Sequence, residues 1–527
     1  MLSRLVQFSK GDSYEDLDGK DVASIVSDPP AVIPNPSDQK PTDGDVKTLE
    51  TPESNEETYT LQQAIDRIGF GKFQMKLSVL TGFAWMSDAM EMMILSILSP
   101  ALHCAWGLTG IKQALLTTIV FCGMMTSSSL WGSFCDKYGR KLALIASSLF
   151  TCYFGILSAF SPTFIWILVL RGLVGFGIGG APQAITLYAE FLPGKTRATC
   201  VLFIEVFWAI GACFEVMLAL FIMPVLGWRW LLVLSAVPLL IFSAFCLWLP
   251  ESARFEICRG NAEKAEETIQ RIAKENGKPM LLGRLKECDS QAEHVNRGSI
   301  LDMLKPDMRL TTLLLWLVWF SNSFCYFGVI LMTTELFESG SNCAVGNKTV
   351  FRAEPHCPLE CKMLSKGDYI DLLWTTVAEF PGLFLTILVI DKIGRRFTIG
   401  GEFIIFSIFM FFVNICTTRE VLIFFLFVAR AFISSAFMGA YVYTPEIYPT
   451  SMRAIGLGAC SAMARIGAII TPFIAQVLLS KSTHLAISLY GVVALFGSVA
   501  AFALPIETKG KSLKDISASQ EKAKSPE

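Results

Sequence analysis

Charge is what this 527-residue chain has least of. Only 17% of its residues are Asp, Glu, Lys or Arg, against about 25% in ordinary soluble proteins. The 44 basic and 46 acidic side chains leave a net charge of −2. With no basic cluster, nucleic acid is not an expected partner. No signal-peptide pattern opens the chain, so the first apolar block is expected to act as its own insertion signal. The aqueous segments carry no metal-ligating cluster, nucleophile elbow or phosphate loop. Neither catalysis nor a metal nor a cofactor is therefore expected.

What the chain has in excess is apolar residues, 53% of the total, gathered in long blocks. About 20 such residues at 1.5 Å each cross a hydrocarbon core of roughly 30 Å. Blocks of this length exclude barrel strands and leave helices as the spanning element. Twelve are read, at 77–101, 113–133, 142–160, 163–187, 199–222, 230–249, 311–333, 370–390, 397–416, 421–443, 454–479 and 484–504. The expected fold is an all-α membrane protein of twelve transmembrane helices in two pseudo-symmetric six-helix bundles. Its parts are a polar, disordered N-terminal tail (1–70), a bundle (71–250), a linker with helices (251–309), a second bundle (310–505) and a C-terminal tail (506–527). Alternating charges from Asn261 to Lys274 mark a solvated helix in the linker. The lipid bilayer is the one certain partner, and a monomer is expected.

Basic residues in short loops set orientation. With the N-terminus cytosolic, inner loops hold nine (Lys137, Arg140, Lys141, Lys195, Arg197, Lys392, Arg395, Arg396, Arg453). The outer loops hold four (Lys112, Arg229, Arg419, Lys481). Both termini are expected in the cytosol. The outer side then carries a sequon at Asn347 and four cysteines, Cys104, Cys343, Cys357 and Cys361, with at least one disulfide expected and three connectivities open.

The strongest signal is internal duplication. Asp136-Lys-Tyr-Gly139-Arg140 returns as Asp391-Lys-Ile-Gly394-Arg395, followed by Arg396. Glu190-Phe-Leu-Pro-Gly-Lys-Thr-Arg197 returns as Glu446-Ile-Tyr-Pro-Thr-Ser-Met-Arg453. Pro250-Glu251-Ser-Ala-Arg254 is matched by Pro505-Ile-Glu507-Thr-Lys. Three matches at one offset of 255 or 256 residues imply two homologous halves.

These loops resemble the signature of the major facilitator superfamily, and the resemblance covers nearly everything beyond residue 60. The E-x-x-P-x-x-x-R turns and the P-E-S-A-R segment resemble its sugar-porter and organic-ion branches. The runs from Ile68 to Gln74, Ser87 to Met93, Arg171 to Gly180 and Val206 to Gly211 are similar to a vesicle-protein branch, which implies a synaptic or secretory vesicle membrane. Two departures put a hexose substrate in doubt. The G-P-x-P-x-x-W run of sugar porters is replaced from Phe437 to Thr444, and in place of their glutamine-rich seventh helix stand Asn322 and Tyr326.

Ionisable residues at bilayer depth cost at least about 2.5 kcal/mol each, so each asks for a reason. Asp88 and Glu91 lie three residues apart on the first block and so share a face. Arg171 stands in the fourth block, Glu205 and Glu215 in the fifth, Glu379 in the eighth, Arg430 in the tenth and Arg465 in the eleventh. Two acids near Arg171 suit a proton switch, because a like charge raises one pKa and the guanidinium holds the other acid ionised. The resemblance implies that Asp88 faces Arg171. A static ion pair binding the two helices is the equal alternative. Glu205 is read as a boundary residue and Arg430 as structural. Arg465 and Tyr441 join the substrate candidates, and aromatic residues such as Trp208 suit either cavity lining or packing. The glycine-rich stretch from Gly172 to Gly180 is read as helix packing, since no strand precedes it.

The resemblance also implies a cytosolic gate. Arg140 and Arg197 are expected to pair with Glu251 or Glu446, and Arg395, Arg396 and Arg453 with Glu190 or Glu507. Asp136, Gly139, Arg254, Asp391 and Gly394 complete the set. The function expected is secondary active transport of a small organic, ionic solute by alternating access, with proton coupling in view. The rival is a non-transporting vesicle-membrane binding or trafficking protein that kept the fold.

Overall fold

The computed structural model describes residues 58–194, 196–280, 283–286, 300–339, 364–415, 417–448 and 452–509. Twelve helices are long and apolar enough to cross a membrane. In chain order they are α1 (Lys72–Trp106), α2 (Gly110–Tyr138), α3 (Arg140–Ala159), α4 (Phe164–Glu190), α5 (Thr199–Ile222) and α6 (Trp228–Phe245) in the first half. The second half holds α7 (Pro306–Phe337), α8 (Lys366–Ile393), α9 (Arg395–Val413), α10 (Arg419–Ile447), α11 (Ile455–Lys481) and α12 (Thr483–Ala503). This is a multi-pass membrane protein of the expected fold. In hydrocarbon a helix is stable because it satisfies its own backbone groups.

Between such helices lipid supplies no hydrophobic drive, so close packing has to hold them. A Cβ on Gly175 of α4 would lie 2.1 Å from the Val120 carbonyl oxygen of α2. One on Gly211 of α5 would lie 2.2 Å from the Met86 carbonyl of α1. The α4 glycine stretch is thus a packing surface. In α11, Pro472 removes a backbone donor, and a π-helical segment, Phe473–Leu478, follows it.

The tail is shorter than composition suggests. Residues 58–70 are structured: Thr58–Tyr59 pairs in parallel with Arg284–Leu285, and Leu61–Ile68 forms a helix with a Thr60–Gln63 capping box. That helix buries Ala64, Ile65 and Ile68, an apolar stripe too short to be conspicuous in a polar segment. The linker helix, Ala262–Asn276, is likewise not solvated all round, for it buries Ala265, Ile269, Ile272 and Ala273. Asn276 anchors it to α1 by accepting from the Phe73 amide at 3.0 Å and donating to Gln74 at 2.8 Å.

The two halves meet on the face opposite the D-x-x-G-R loops. There the Thr118 hydroxyl of α2 donates to the Ile469 carbonyl of α11 at 3.2 Å, and Gln476 donates to Ser99 of α1 at 2.8 Å. The Phe121 and Phe327 rings lie 4.8 Å apart, centre to centre.

Candidate functional site

On the loop face the duplication is reproduced in atomic detail. Gly139 has φ +103° and ψ 156°, Gly394 φ +113° and ψ 155°, a region essentially closed to other residues. Each turn delivers the next two amides to one carboxylate. Glu251 accepts from the amides of Arg140 (2.8 Å) and Lys141 (3.2 Å) at the start of α3. Glu507 accepts from those of Arg395 (2.9 Å) and Arg396 (3.2 Å) at the start of α9. An anion there also meets the positive end of the helix dipole. The Arg140 guanidinium reaches Glu190 at 3.1 Å and Asp136 at 3.3 Å. That of Arg395 reaches Glu446 at 3.2 Å and Asp391 at 2.9 Å. Ser252 then donates to Glu190, and Thr508 to Glu446.

The expected gate pairings are corrected here. The guanidinium of each D-x-x-G-R arginine binds the glutamate of its own half, Glu190 or Glu446, because the short turn leaves it beside the end of α4 or α10. Arg197 does not pair with Glu251 or Glu446; it donates to Gln62 (2.8 Å) and to the Leu192 carbonyl (3.1 Å), since the helix of residues 61–68 occupies that corner. Arg396 donates from its side chain to the Phe502 carbonyl. Arg453 has no carboxylate partner among the described residues. Burial and, second, the like charge of Arg197 lower its pKa below the ordinary arginine value. Arg254 makes an interaction of its own.

Inside the first half, Arg171 (1% exposed) bonds Glu91, not Asp88, at 2.7 Å. This corrects the expected pairing. Three residues along α1 is about 4.5 Å, enough to set Asp88 beside Gly177 and Ile178 of α4, past the reach of Arg171. Both acids lie within the first bundle and not on its interface with the second. Glu215 is fully buried and receives the Ser235 hydroxyl on its two oxygens at 2.9 and 2.8 Å.

Between the halves lies a different arrangement. Arg430 of α10 (0% exposed) bonds Glu379 of α8 (1%) at 2.9 Å. The Tyr326 hydroxyl of α7 donates to the same carboxylate at 3.2 Å and accepts from the Trp208 indole of α5 at 2.7 Å. Arg430 also donates to the Met93 sulfur of α1 at 3.3 Å. The chain of contacts therefore runs from the first half into the second and back. On the same face of α7, Trp319 packs edge-on against Tyr441 of α10, 4.6 Å between centres, and its indole donates to Thr444. Asn322, one turn on, is 1% exposed with neither amide atom partnered. Glu379 and Arg430 each keep one unpartnered polar atom as well. Tyr441 lies within electrostatic reach of both Glu205 and Arg465.

Sequence reasoning left out Arg430 as a site residue, did not set Trp208 or Met93 apart, and missed Glu402. That last acid is buried in α9, takes the Thr386 hydroxyl at 2.5 Å and has its second oxygen unpartnered. Its charge within an apolar block was the available signal. Cys104 is disulfide-bonded. Asn347, Cys343, Cys357 and Cys361 lie outside the described residues.

Two half-bundles with matched charged loops and buried ion pairs define a class. The chain belongs to the major facilitator superfamily: residues 54–345 match the family model of the sugar (and other) transporters, and residues 373–526 that of the major facilitator superfamily. Among named proteins it is 56% identical to the synaptic vesicle 2-related protein of Xenopus laevis over 90% of this chain and 86% of that one. The rat (Rattus norvegicus) protein of the same name is 57% identical over the same shares. Among solved structures, the xylose transporter XylE from E. coli, in a partially occluded inward-open conformation, aligns with a TM-score of 0.66. It is 17% identical, over 84% of this chain and 99% of that one, and the likeness is one of fold.

Proposed function

We propose that the chain is a secondary transporter of a small organic, ionic solute, working by alternating access in a vesicle membrane with both termini cytosolic. The observation that carries this reading is the Trp208–Tyr326–Glu379–Arg430 network. It is buried, charged, held by both halves and left with open hydrogen-bonding capacity at Asn322, Glu379 and Arg430. Buried polar groups without partners are rare in folded proteins, and a polar ligand is one way to complete them. The vesicle setting follows the names of the relatives. In this reading the proton-coupling acid is Glu379, whose guanidinium contact belongs to the network shared by both halves, since a disturbance of that contact on rocking shifts an acid's proton affinity.

The test is uptake by reconstituted vesicles, screened over organic acids, amines and zwitterions with and without an imposed proton gradient. A transported solute is expected whose uptake collapses in Glu379→Gln and weakens in Tyr326→Phe. If no solute is accumulated or exchanged, and none protects the protein against unfolding in a Glu379-dependent way, the rival reading of a non-transporting membrane protein takes its place.

A further inference from the structure

Asp88 is left over from the reading above. Its side chain is 9% exposed and borders a cavity enclosed by α1, α3, α4 and α6, where Ser147, Ser148 and Thr151 of α3 form the facing wall. No donor among the described residues reaches its carboxylate. The hydrogen bonds of α3 explain why. Ser147 donates to the Leu144 carbonyl (3.2 Å), Ser148 to that of Ile145 (3.1 Å) and Thr151 to that of Ser147 (2.9 Å). The Ser148 oxygen also accepts from Ser243 at 2.8 Å. With their protons directed at the backbone, these hydroxyls offer the cavity lone pairs only. A carboxylate therefore faces a wall of acceptors, which is repulsive unless something positive lies between them.

The charge balance of the bundle points the same way. Among the described residues, its buried charged side chains are three acids, Asp88, Glu91 and Glu215, and one guanidinium, Arg171, which binds Glu91. Glu215 is met by the Ser235 hydroxyl. Among the described residues Asp88 has no oppositely charged partner, and the like charge of Glu91 is close.

We propose that Asp88, with the hydroxyl oxygens of Ser147, Ser148 and Thr151, forms a binding site for one sodium ion. The donor set is all oxygen, which suits a hard cation, and contains a single carboxylate, too little charge for a dehydrated divalent ion. A proton on Asp88 would make one hydrogen bond, to one of the three hydroxyl oxygens, whereas a sodium ion between them engages all three. The proposal does not depend on which solute the central network takes.

The experiment uses the full chain in lipid nanodiscs, with sodium chloride exchanged stepwise for choline chloride at constant ionic strength and pH. Thermal unfolding and binding of radioactive sodium are both followed. A saturable rise in melting temperature and matching sodium binding are expected, with loss of both in Asp88→Asn. In Thr151→Val the half-saturating concentration should rise by about tenfold, the equivalent of one weakened ligand. Should Asp88→Asn fail to fold, Thr151→Val and Ser147→Ala decide. Unaltered sodium dependence in both overturns the site. So does a wild-type protein indifferent to the exchange, or one whose melting temperature follows pH but not sodium. Because no transported solute enters the assay, its outcome is independent of the uptake screen.

Discussion

Each half carries a deeply buried ion pair, and the two pairs are held differently. Glu91–Arg171 is enclosed by helices of its own half. Glu379–Arg430 is bonded to the other half twice, through Tyr326 to Trp208 and through Arg430 to Met93. On the loop face, by contrast, the halves remain near copies, down to the hydroxyl that completes each network. Duplication has thus been kept where each half must close its own turn and lost where the halves meet. A rocking motion leaves Glu91–Arg171 intact and has to strain or break the contacts around Glu379.

The largest effect expected is from removing a guanidinium. Arg171→Leu and Arg430→Leu each strand a buried carboxylate and should cost about 3–5 kcal/mol, read as loss of folded protein or melting temperature. Glu91→Gln combined with Arg171→Leu should recover much of that loss. The same repair at Glu379 and Arg430 should restore folding while leaving uptake absent. Equal recovery of function in both halves would erase the contrast drawn here.

Next come the glycine turns. Gly139→Ala or Gly394→Ala should destabilise by about 1–3 kcal/mol, from the backbone region alone. The added methyl would also meet Glu251 at 2.4 Å or Glu507 at 2.9 Å. The two substitutions should behave alike, since the networks do, and urea or thermal unfolding in detergent would show it. Neutralising Arg140 and Arg395 together should raise the labelling of cysteines placed between the halves near the loop face. Unchanged labelling would reduce both loops to topology signals.

A smaller effect should follow Tyr326→Phe, which deletes two hydrogen bonds worth about 0.5–1.5 kcal/mol each. In a double-mutant cycle with Trp208→Phe the losses should be non-additive, as for groups in direct contact. In a cycle pairing Trp208→Phe with Arg171→Lys they should add. The smallest effect, none on stability, is expected at Asn347. Glycan removal should change gel mobility of the native protein but not of Asn347→Gln, which tests the orientation on which the vesicle reading depends.

The fold was legible because a bilayer is an unforgiving solvent. Twelve apolar blocks had to be helices, and charged loops repeating at a constant offset had to mean two halves. The loop network was half legible. Gly139, Arg140, Glu190 and Glu251 could be collected by their repetition, but not which carboxylate each donor takes. Asp88 and Glu91 show the limit most clearly. Both are acids on one face of α1, and a shift of three residues decides that one holds Arg171 and the other faces α3 hydroxyls.

Residue order alone determined the number of spans, the duplication, the family resemblance and the inventory of buried charges, because each is a local or periodic property set by hydrophobicity and chain length. Tertiary structure alone decided which charges meet. Glu379 and Arg430 are 51 residues apart, and Trp208 and Tyr326 are 118 apart. Their contacts depend on how helices rotate and cross. Close approach at small residues such as Gly175 and Gly211, where a Cβ would lie 2.1 and 2.2 Å from a carbonyl of the next helix, constrains those rotations, and no sequence spacing shows it.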